Sequence, residues 1–198
     1  EGQFKGYILL ADTPKSDIAN LPLRLKRQGV ETVQILSGDK QALIDKLVSD
    51  LNKGGKLHVT GFGDLLPQDK VSHISALKEQ GKKVAFVGDG INDAPVLALS
   101  DVGVAMGAMG SDMAVETADV VIQTDEPGKV AEAVAIGKRT RRIVYQNIIL
   151  AIGVKLIVMI LGVFGVANLW EAVFADSGVA LIAVMNSTRI FLTKKSGI

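Results

Sequence analysis

Residues 83–93 read Lys-Val-Ala-Phe-Val-Gly-Asp-Gly-Ile-Asn-Asp, an apolar run that ends in a Gly-Asp-Gly turn. Two carboxylates, Asp89 and Asp93, follow this run four residues apart. Mg²⁺ prefers hard oxygen ligands and keeps several waters, so one or two carboxylates beside a phosphate are enough to hold it. We therefore predict a strand that ends at a Mg²⁺ and phosphate site, with Asp89 as the ligand and Asp93 in support. The simpler alternative is an Asp-Gly turn followed by a helix-capping Asp.

Strand and helix patterns alternate on both sides of this segment. Short apolar runs predict strands, and apolar residues at helical spacing predict the connecting helices. Strands joined by helices of this length form a parallel sheet covered on both faces, with its sites at the C-terminal strand ends. The predicted fold class is therefore α/β, with a Rossmann-like parallel sheet. Strands are predicted at residues 7–11, 32–36, 57–60, 83–87, 102–106 and 120–123, and helices at 18–28, 40–51, 70–80, 94–100 and from near Pro127 onward.

Three segments carry the chemistry in a fixed order: Ser37-Gly38-Asp39 after a strand, Lys70 at the start of a helix, and the Gly-Asp-Gly-Ile-Asn-Asp turn. Taken singly, a Ser after a strand is usually a turn residue, and a Lys that begins a helix is usually solvated. The order and spacing of all three resemble the haloacid-dehalogenase superfamily, and specifically its P-type ATPases. The sheet would then be part of a haloacid-dehalogenase-type phosphorylation domain.

The resemblance implies a role for each of these residues, and it implies ATP and Mg²⁺ as cofactors. The roles suit a transition state whose charge spreads over the phosphoryl oxygens. Ser37 would hydrogen-bond the transferred phosphoryl group, Lys70 would neutralise its charge, Asn92 would add a hydrogen bond, Asp89 would hold Mg²⁺, and Gly38 and Asp39 belong with Ser37 in the catalytic group.

An earlier apolar run ends at Asp12, which is also how free-standing phosphatases of this superfamily present their nucleophile. Those enzymes carry a second Asp two positions later, where this chain has Pro14. In P-type ATPases the matching segment is a hinge strand. We therefore favour a hinge or structural role for Asp12, with a membrane-anchored phosphatase as the alternative.

Two apolar stretches predict membrane-spanning helices at about 143–166 and 172–192, each long enough to cross roughly 30 Å of hydrocarbon. Basic residues lie within 138–142 and again at Lys194 and Lys195, which predicts that both termini are cytoplasmic. Trp170 in the connecting turn fits an interfacial anchor. We thus predict a cytoplasmic phosphorylation-domain segment at 1–137 and a membrane segment at 138–198, in the cell membrane.

One ionisable residue lies inside each predicted span, and such residues are functional candidates by default. Lys155 lies about 18 Å from one membrane edge and Asp176 about 9 Å from the other, so their depths in a core of roughly 30 Å differ by only about 3 Å. Antiparallel helices would bring the two together; a snorkelling Lys and a loop Asp are the alternative. Residues 186–189 are polar, and we favour helix packing over a pore lining for them.

Lys155 and Asp176 within their local sequences resemble the last two helices of zinc, cadmium and lead exporting ATPases. In that resemblance, Asp176 binds the transported metal, Zn²⁺ or Cd²⁺, and Lys155 is its counter-ion. Zn²⁺ accepts carboxylate oxygen as well as thiolate, which suits the assignment.

Composition excludes several other functions. The net charge of +1 provides no basic surface for nucleic acid, and the absence of cysteine excludes disulfides, thiolate metal sites and a cysteine nucleophile. His58 and His73 have no second ligand type nearby at metal-binding spacing, and we interpret both as structural.

The Asp-Lys-Thr-Gly motif that carries the phosphorylated aspartate of P-type ATPases is not in this sequence. We therefore expect the isolated chain to be inactive, and its partners to be the membrane and the missing N-terminal portion of the same pump. A non-enzymatic remnant of a pump is a further alternative.

Overall fold

The computed structural model describes residues 17–53, 57–88, 93–107, 116–166 and 168–191. The predicted strand at 7–11, Asp12 and residues 89–92 lie outside the described part of the chain. The chain divides into two compact units, residues 1–131 and 132–198. The predicted boundary between residues 137 and 138, which separates a cytoplasmic from a membrane segment, stays a prediction.

The first unit alternates strands and helices in the predicted order, and one strand, at 102–106, has the predicted bounds. Helix α3 begins three residues before the predicted start because Pro67 is pre-organised for the first helical turn and the Asp69 carboxylate accepts the N–H of Leu66. In chain order the elements are a 3₁₀ turn at Ile18–Asn20, α1 (Leu21–Arg27), β1 (Val33–Leu36), α2 (Gln41–Asn52), β2 (Val59–Phe62), α3 (Pro67–Glu79), β3 (Ala85–Gly88), α4 (Ala94–Leu99), β4 (Val102–Met106) and β5 (Val120–Ile122).

These strands pair only in parallel, as the sequence predicts. β1 pairs with β2, and β4 lies between β3 and β5. Leu36 at the end of β1 is opposite Phe62, and Gly88 at the end of β3 is opposite Ala105. The α/β class is therefore confirmed, although the described strands form two ladders where the sequence indicated one sheet.

An apolar core connects the two ladders. Ile74 of α3, Phe86 of β3, and Val96 and Leu97 of α4 are buried together, and Leu36 at the end of β1 packs against them. Burial of a side chain of this size stabilises the fold by about 1.5–3 kcal/mol. Because this core holds Leu36 of β1 and Phe86 of β3, it also positions the polar segments that follow those two strands.

A long helix, α5 (Gly128–Val163), runs into the second unit. Its 36 residues extend about 54 Å. It is the one helix among the described residues that is long and apolar enough to cross a membrane, with a mean hydropathy of 2.1 over 18 residues. The helix predicted from Pro127 and the span predicted at 143–166 are therefore one element, since no proline lies between them and a single glycine, Gly137, does not end a helix.

The end of α5 is set by glycine. Gly165 has φ of 71°, and the N–H of Val166 donates to the carbonyl of Leu161 while that of Gly165 donates to Gly162, both at 3.0 Å. This is a Schellman cap, which satisfies the last helical carbonyls and needs a residue that tolerates the left-handed conformation. The helix consequently stops before the predicted end at residue 166.

The second helical stretch comprises α6 (Leu169–Val173), a π-helical turn (Phe174–Gly178) and α7 (Val179–Thr188) without interruption. It begins three residues earlier than predicted because Asn168 and Glu171 form a capping box. The Asn168 side-chain oxygen Oδ1 accepts the backbone N–H of Trp170 at 2.9 Å, and the Glu171 carboxylate accepts the backbone N–H of Asn168 at 2.8 Å. Its role as a second membrane span stays a prediction.

Candidate functional site

The loop after β1 presents Ser37 and Asp39 as an ordered pair. The Ser37 hydroxyl donates to the Asp39 carboxylate at 2.9 Å, and its oxygen accepts the backbone N–H of Asp39 at 3.1 Å. Asp39 is exposed and Ser37 is half-buried. The hydroxyl is therefore already oriented at the C-terminal edge of β1, where parallel strands place their sites.

Backbone hydrogen bonds connect this loop to the start of α3. The carbonyl of Ser37 accepts the N–H of Leu65 at 3.1 Å, and that of Asp39 accepts the N–H of Asp64 at 2.6 Å. Gly63 permits the approach, because a Cβ there would lie 2.6 Å from the Cα of Gln41 and 2.7 Å from the carbonyl oxygen of Asp39. The Ser37 loop and the segment that leads into α3 are thus held together.

Lys70 in the first turn of α3 forms an ion pair with Asp93. Lys70 Nζ lies 2.8 Å from Asp93 Oδ1, and the two side chains are only 16% and 13% exposed. Gly88 leaves the room for Asp93, since a Cβ at position 88 would lie 2.9 Å from Asp93 Oδ2. The structure therefore joins the second and third predicted segments through a shielded charge pair.

The described residues offer the type of donor that Mg²⁺ requires. The Asp93 carboxylate lies near the end of β3, with one oxygen bonded to Lys70 and the other beside Gly88. No cluster of three or more His, Cys, Asp or Glu occurs within the described ranges, and Mg²⁺ needs only one or two carboxylates beside a phosphate. Asp89 and Asn92 lie outside these ranges, so their roles stay predictions.

The predicted membrane pair is present: Lys155 Nζ of α5 lies 2.9 Å from Asp176 Oδ1. Asp176 is in the π-helical turn, where the N–H of Val179 donates to the carbonyl of Phe174. Such turns are rare and occur frequently at functional sites. The Lys155 and Asp176 side chains are 61% and 73% exposed, so the described residues of the second unit do not cover the ion pair.

A polar network that the sequence analysis missed connects α5 with α7. Asn147 Nδ2 donates to the carbonyl of Ala183 at 3.1 Å and to the Ser187 hydroxyl at 2.9 Å, and its Oδ1 accepts from Asn186 at 2.8 Å. These contacts agree with the predicted packing role of residues 186–189. The sequence signal for Asn147 is a pair of adjacent amides, Gln146 and Asn147, at the start of an apolar run.

His73 has contacts of the predicted structural kind. Its Nε2 lies 2.9 Å from the Gln34 amide oxygen, and its ring is centred 4.6 Å from that of Phe62. His58 is exposed before β2. Neither histidine is needed to explain the two polar sites.

Comparison with protein families gives two overlapping matches. A family described as haloacid dehalogenase-like hydrolase matches residues 1–101, and a second family with the same description matches residues 70–134. Both matches include Lys70 and the turn that follows β3.

Comparison with individual proteins gives relatives along nearly the whole chain. The chain is 50% identical over 192 residues to a zinc-transporting ATPase of Synechocystis sp. and 49% identical over 195 residues to a cadmium, zinc and cobalt-transporting ATPase of Bacillus subtilis. The matches cover 96% and 97% of this chain but 26% and 27% of those relatives. The chain thus spans about a quarter of their length.

Two solved structures are similar. The crystal structure of a zinc-transporting PIB-type ATPase in the E2.Pi state matches 90% of this chain and 28% of its own, with a TM-score of 0.79 and 34% identity. The catalytic domain of the CPx-ATPase CopB-B matches 63% of this chain and 46% of its own, with a TM-score of 0.54 and 36% identity. The predicted resemblance to heavy-metal P-type ATPases is confirmed.

Proposed function

The chain belongs to the haloacid dehalogenase-like hydrolase family, and on that premise we propose that it is part of an ATP-driven membrane exporter of Zn²⁺ or Cd²⁺. The observation that carries the proposal is the Lys155–Asp176 pair. A carboxylate and an ammonium face each other between two apolar helical stretches, and the first of these, α5, begins in the unit that carries the phosphoryl-transfer residues. The names of the relatives supply the metal class. The rest of such a pump would be its partner, and both termini would be cytoplasmic.

The cytoplasmic residues would act on the phosphoryl group. The Ser37 hydroxyl would donate a hydrogen bond to a phosphoryl oxygen. To do so it must give up its present hydrogen bond to the Asp39 carboxylate, which is 2.9 Å long. Lys70 would place its charge beside the same group, and Asp93 keeps the ammonium in position until phosphate arrives. Asp89 and Asp93 would hold Mg²⁺, which neutralises charge on the phosphate oxygens when bound.

In the membrane unit Asp176 would bind the transported cation. A divalent ion at this carboxylate replaces the attraction of the Lys155 ammonium, so the 2.9 Å contact must open when metal arrives and can re-form when metal leaves. A charge pair exposed to hydrocarbon is costly. The open side of the pair would therefore face the remaining helices of the pump.

The decisive experiment is Zn²⁺-stimulated ATP hydrolysis by the complete protein carrying Asp176→Ala. We expect the stimulation to be lost while phosphorylation of the protein remains measurable, because the cytoplasmic residues are unchanged. Glu171→Gln is the matched control, since Glu171 is an exposed carboxylate of the same helical stretch. Normal Zn²⁺ stimulation in the Ala variant would overturn the assignment, and phosphate-ester hydrolysis that depends on Asp12 would indicate an anchored phosphatase.

A further inference from the structure

We propose that Asn147, Asn186 and Ser187 form an amide clamp between α5 and α7 that sets the register of Lys155 against Asp176. The inference rests on the proposed function, because it assigns positioning residues to the proposed membrane site. None of the three clamp residues touches the ion pair in the contacts described above. Their effect on it would be exerted through the alignment of the two helices.

In the clamp, the Asn147 side chain of α5 makes all three of its described hydrogen bonds to residues of α7. Both donors of the Asn147 amide are directed to α7, to Ala183 and Ser187, and its oxygen accepts from Asn186. Asn147 and Asn186 are half-buried, and both lie in strongly apolar helices. A shift of one helix along the other would break these bonds together, and few replacement partners exist at membrane depth.

The clamp and the ion pair specify the same antiparallel alignment. Lys155 follows Asn147 by eight residues, or about 12 Å along α5. Asp176 precedes Asn186 by ten residues, or about 15 Å along the opposite direction. The two spacings agree to within about 3 Å, which is less than one helical turn.

The clamp is better suited than the ion pair to hold this alignment. Lys155 has a long flexible side chain and a single short contact, so it can follow Asp176 through a displacement of the helices. The Asn amides are short and planar, and their bonds depend on direction. Arg189 adds a further tie, because it donates to Asn186 Oδ1 at 2.9 Å and its carbonyl accepts from Arg139 at 2.9 Å. The ion pair can therefore open for a cation while the clamp keeps the helices aligned.

Cross-linking tests the clamp directly, because the chain has no cysteine of its own. Lys155→Cys and Asp176→Cys are introduced together, the chain is inserted into phospholipid vesicles, and a short bifunctional thiol reagent reports the helix alignment. We expect Asn147→Leu to lower the cross-linking yield at least about fivefold. Ser187→Ala removes one of the three Asn147 contacts and should lower the yield by a smaller factor, about twofold. Thr188→Val is the matched control, since the Thr188 hydroxyl donates to Met185 in its own helix.

An unchanged yield in Asn147→Leu would overturn the clamp. If that variant does not enter the vesicles, Ser187→Ala decides alone, and a yield equal to that of Thr188→Val overturns the proposal. In the complete protein with Lys155 and Asp176 intact, Asn147→Leu should raise the half-saturating Zn²⁺ concentration about fivefold or more. The cross-linking does not depend on transport, so the two proposals can fail separately. If Asn147→Leu lowers the cross-linking yield but Zn²⁺ stimulation survives Asp176→Ala, the clamp stands and only the proposed function is refuted.

Discussion

At the scale of single residues, the shielding of Lys70 and Asp93 determines how their ion pair behaves. Both side chains are less than one-fifth exposed, so water screens the attraction only in part. By contrast, the Lys53–Asp50 pair lies at the surface, with side chains 72% and 53% exposed. Two ion pairs of the same chemistry should therefore contribute differently to the stability of one unit.

We expect Lys70→Met to lower the free energy of unfolding by about 1–3 kcal/mol, because it leaves the Asp93 carboxylate shielded without its charge partner. Lys53→Met should change it by less than about 1 kcal/mol, as is usual for exposed pairs. Urea unfolding of the detergent-solubilised chain, followed by circular dichroism, measures both. Equal losses in the two variants would show that the shielding of the Lys70 pair has no energetic effect.

At the scale of elements, the π-helical turn depends on a glycine. A Cβ at Gly178 would lie 2.8 Å from the Phe174 ring carbons Cδ2 and Cε2, so any larger residue must displace the ring or the turn. Asp176 lies between these two residues. The position of the Asp176 carboxylate therefore depends on the close approach of Gly178 to the Phe174 ring, although Asp176 itself is not part of that contact.

We expect Gly178→Ala to reduce Zn²⁺-stimulated ATP hydrolysis of the complete protein at least about tenfold, since small misplacements of a binding group are costly. Gly162→Ala in α5 is the matched control, because a Cβ there meets nothing within 4 Å. The measurement is the rate of phosphate release with and without Zn²⁺. Similar rates in the two variants would mean that the turn tolerates a shift of Phe174.

Sequence patterns predicted the elements better than the contacts between them. Periodicity located β4 and the start of α5, and depth within a bilayer was enough to pair Lys155 with Asp176. The Lys70–Asp93 bond joins residues 23 positions apart and depends on how α3 packs, which no local pattern encodes. Asn147 was missed for a related reason, since a Gln-Asn pair beside an apolar run reveals neither which amide faces the next helix nor what it bonds.

At the scale of the whole molecule, the distribution of charge predicts how the chain lies in a membrane. Lys138 and Arg142 precede the most apolar part of α5, whereas residues 164–168 at its far end carry no charge. Positive residues remain preferentially on the cytoplasmic side. The connection between α5 and α6 is therefore expected on the opposite side.

Single cysteines in the cysteine-free chain test this orientation. We expect Val166→Cys to react with a membrane-impermeant maleimide added to intact cells, and Lys138→Cys to react only after the cells are permeabilised, because the hydrocarbon layer separates the two positions. Both side chains are exposed, so accessibility within the protein does not limit the reaction. The opposite labelling pattern would reverse the orientation of the chain.

The π-helical turn also gives the chain a place where its length can change without rotating the helix. It holds one residue more per turn than an α-helix, in which successive residues are about 100° apart around the axis. Deletion of Ser177 would let Leu169–Thr188 close as a regular α-helix, and the segments on either side would keep nearly their present directions because the lost residue is the one that the wide turn holds in excess. The same deletion within Val179–Thr188, which is already α-helical, would instead rotate the residues on one side of it by about 100° relative to those on the other.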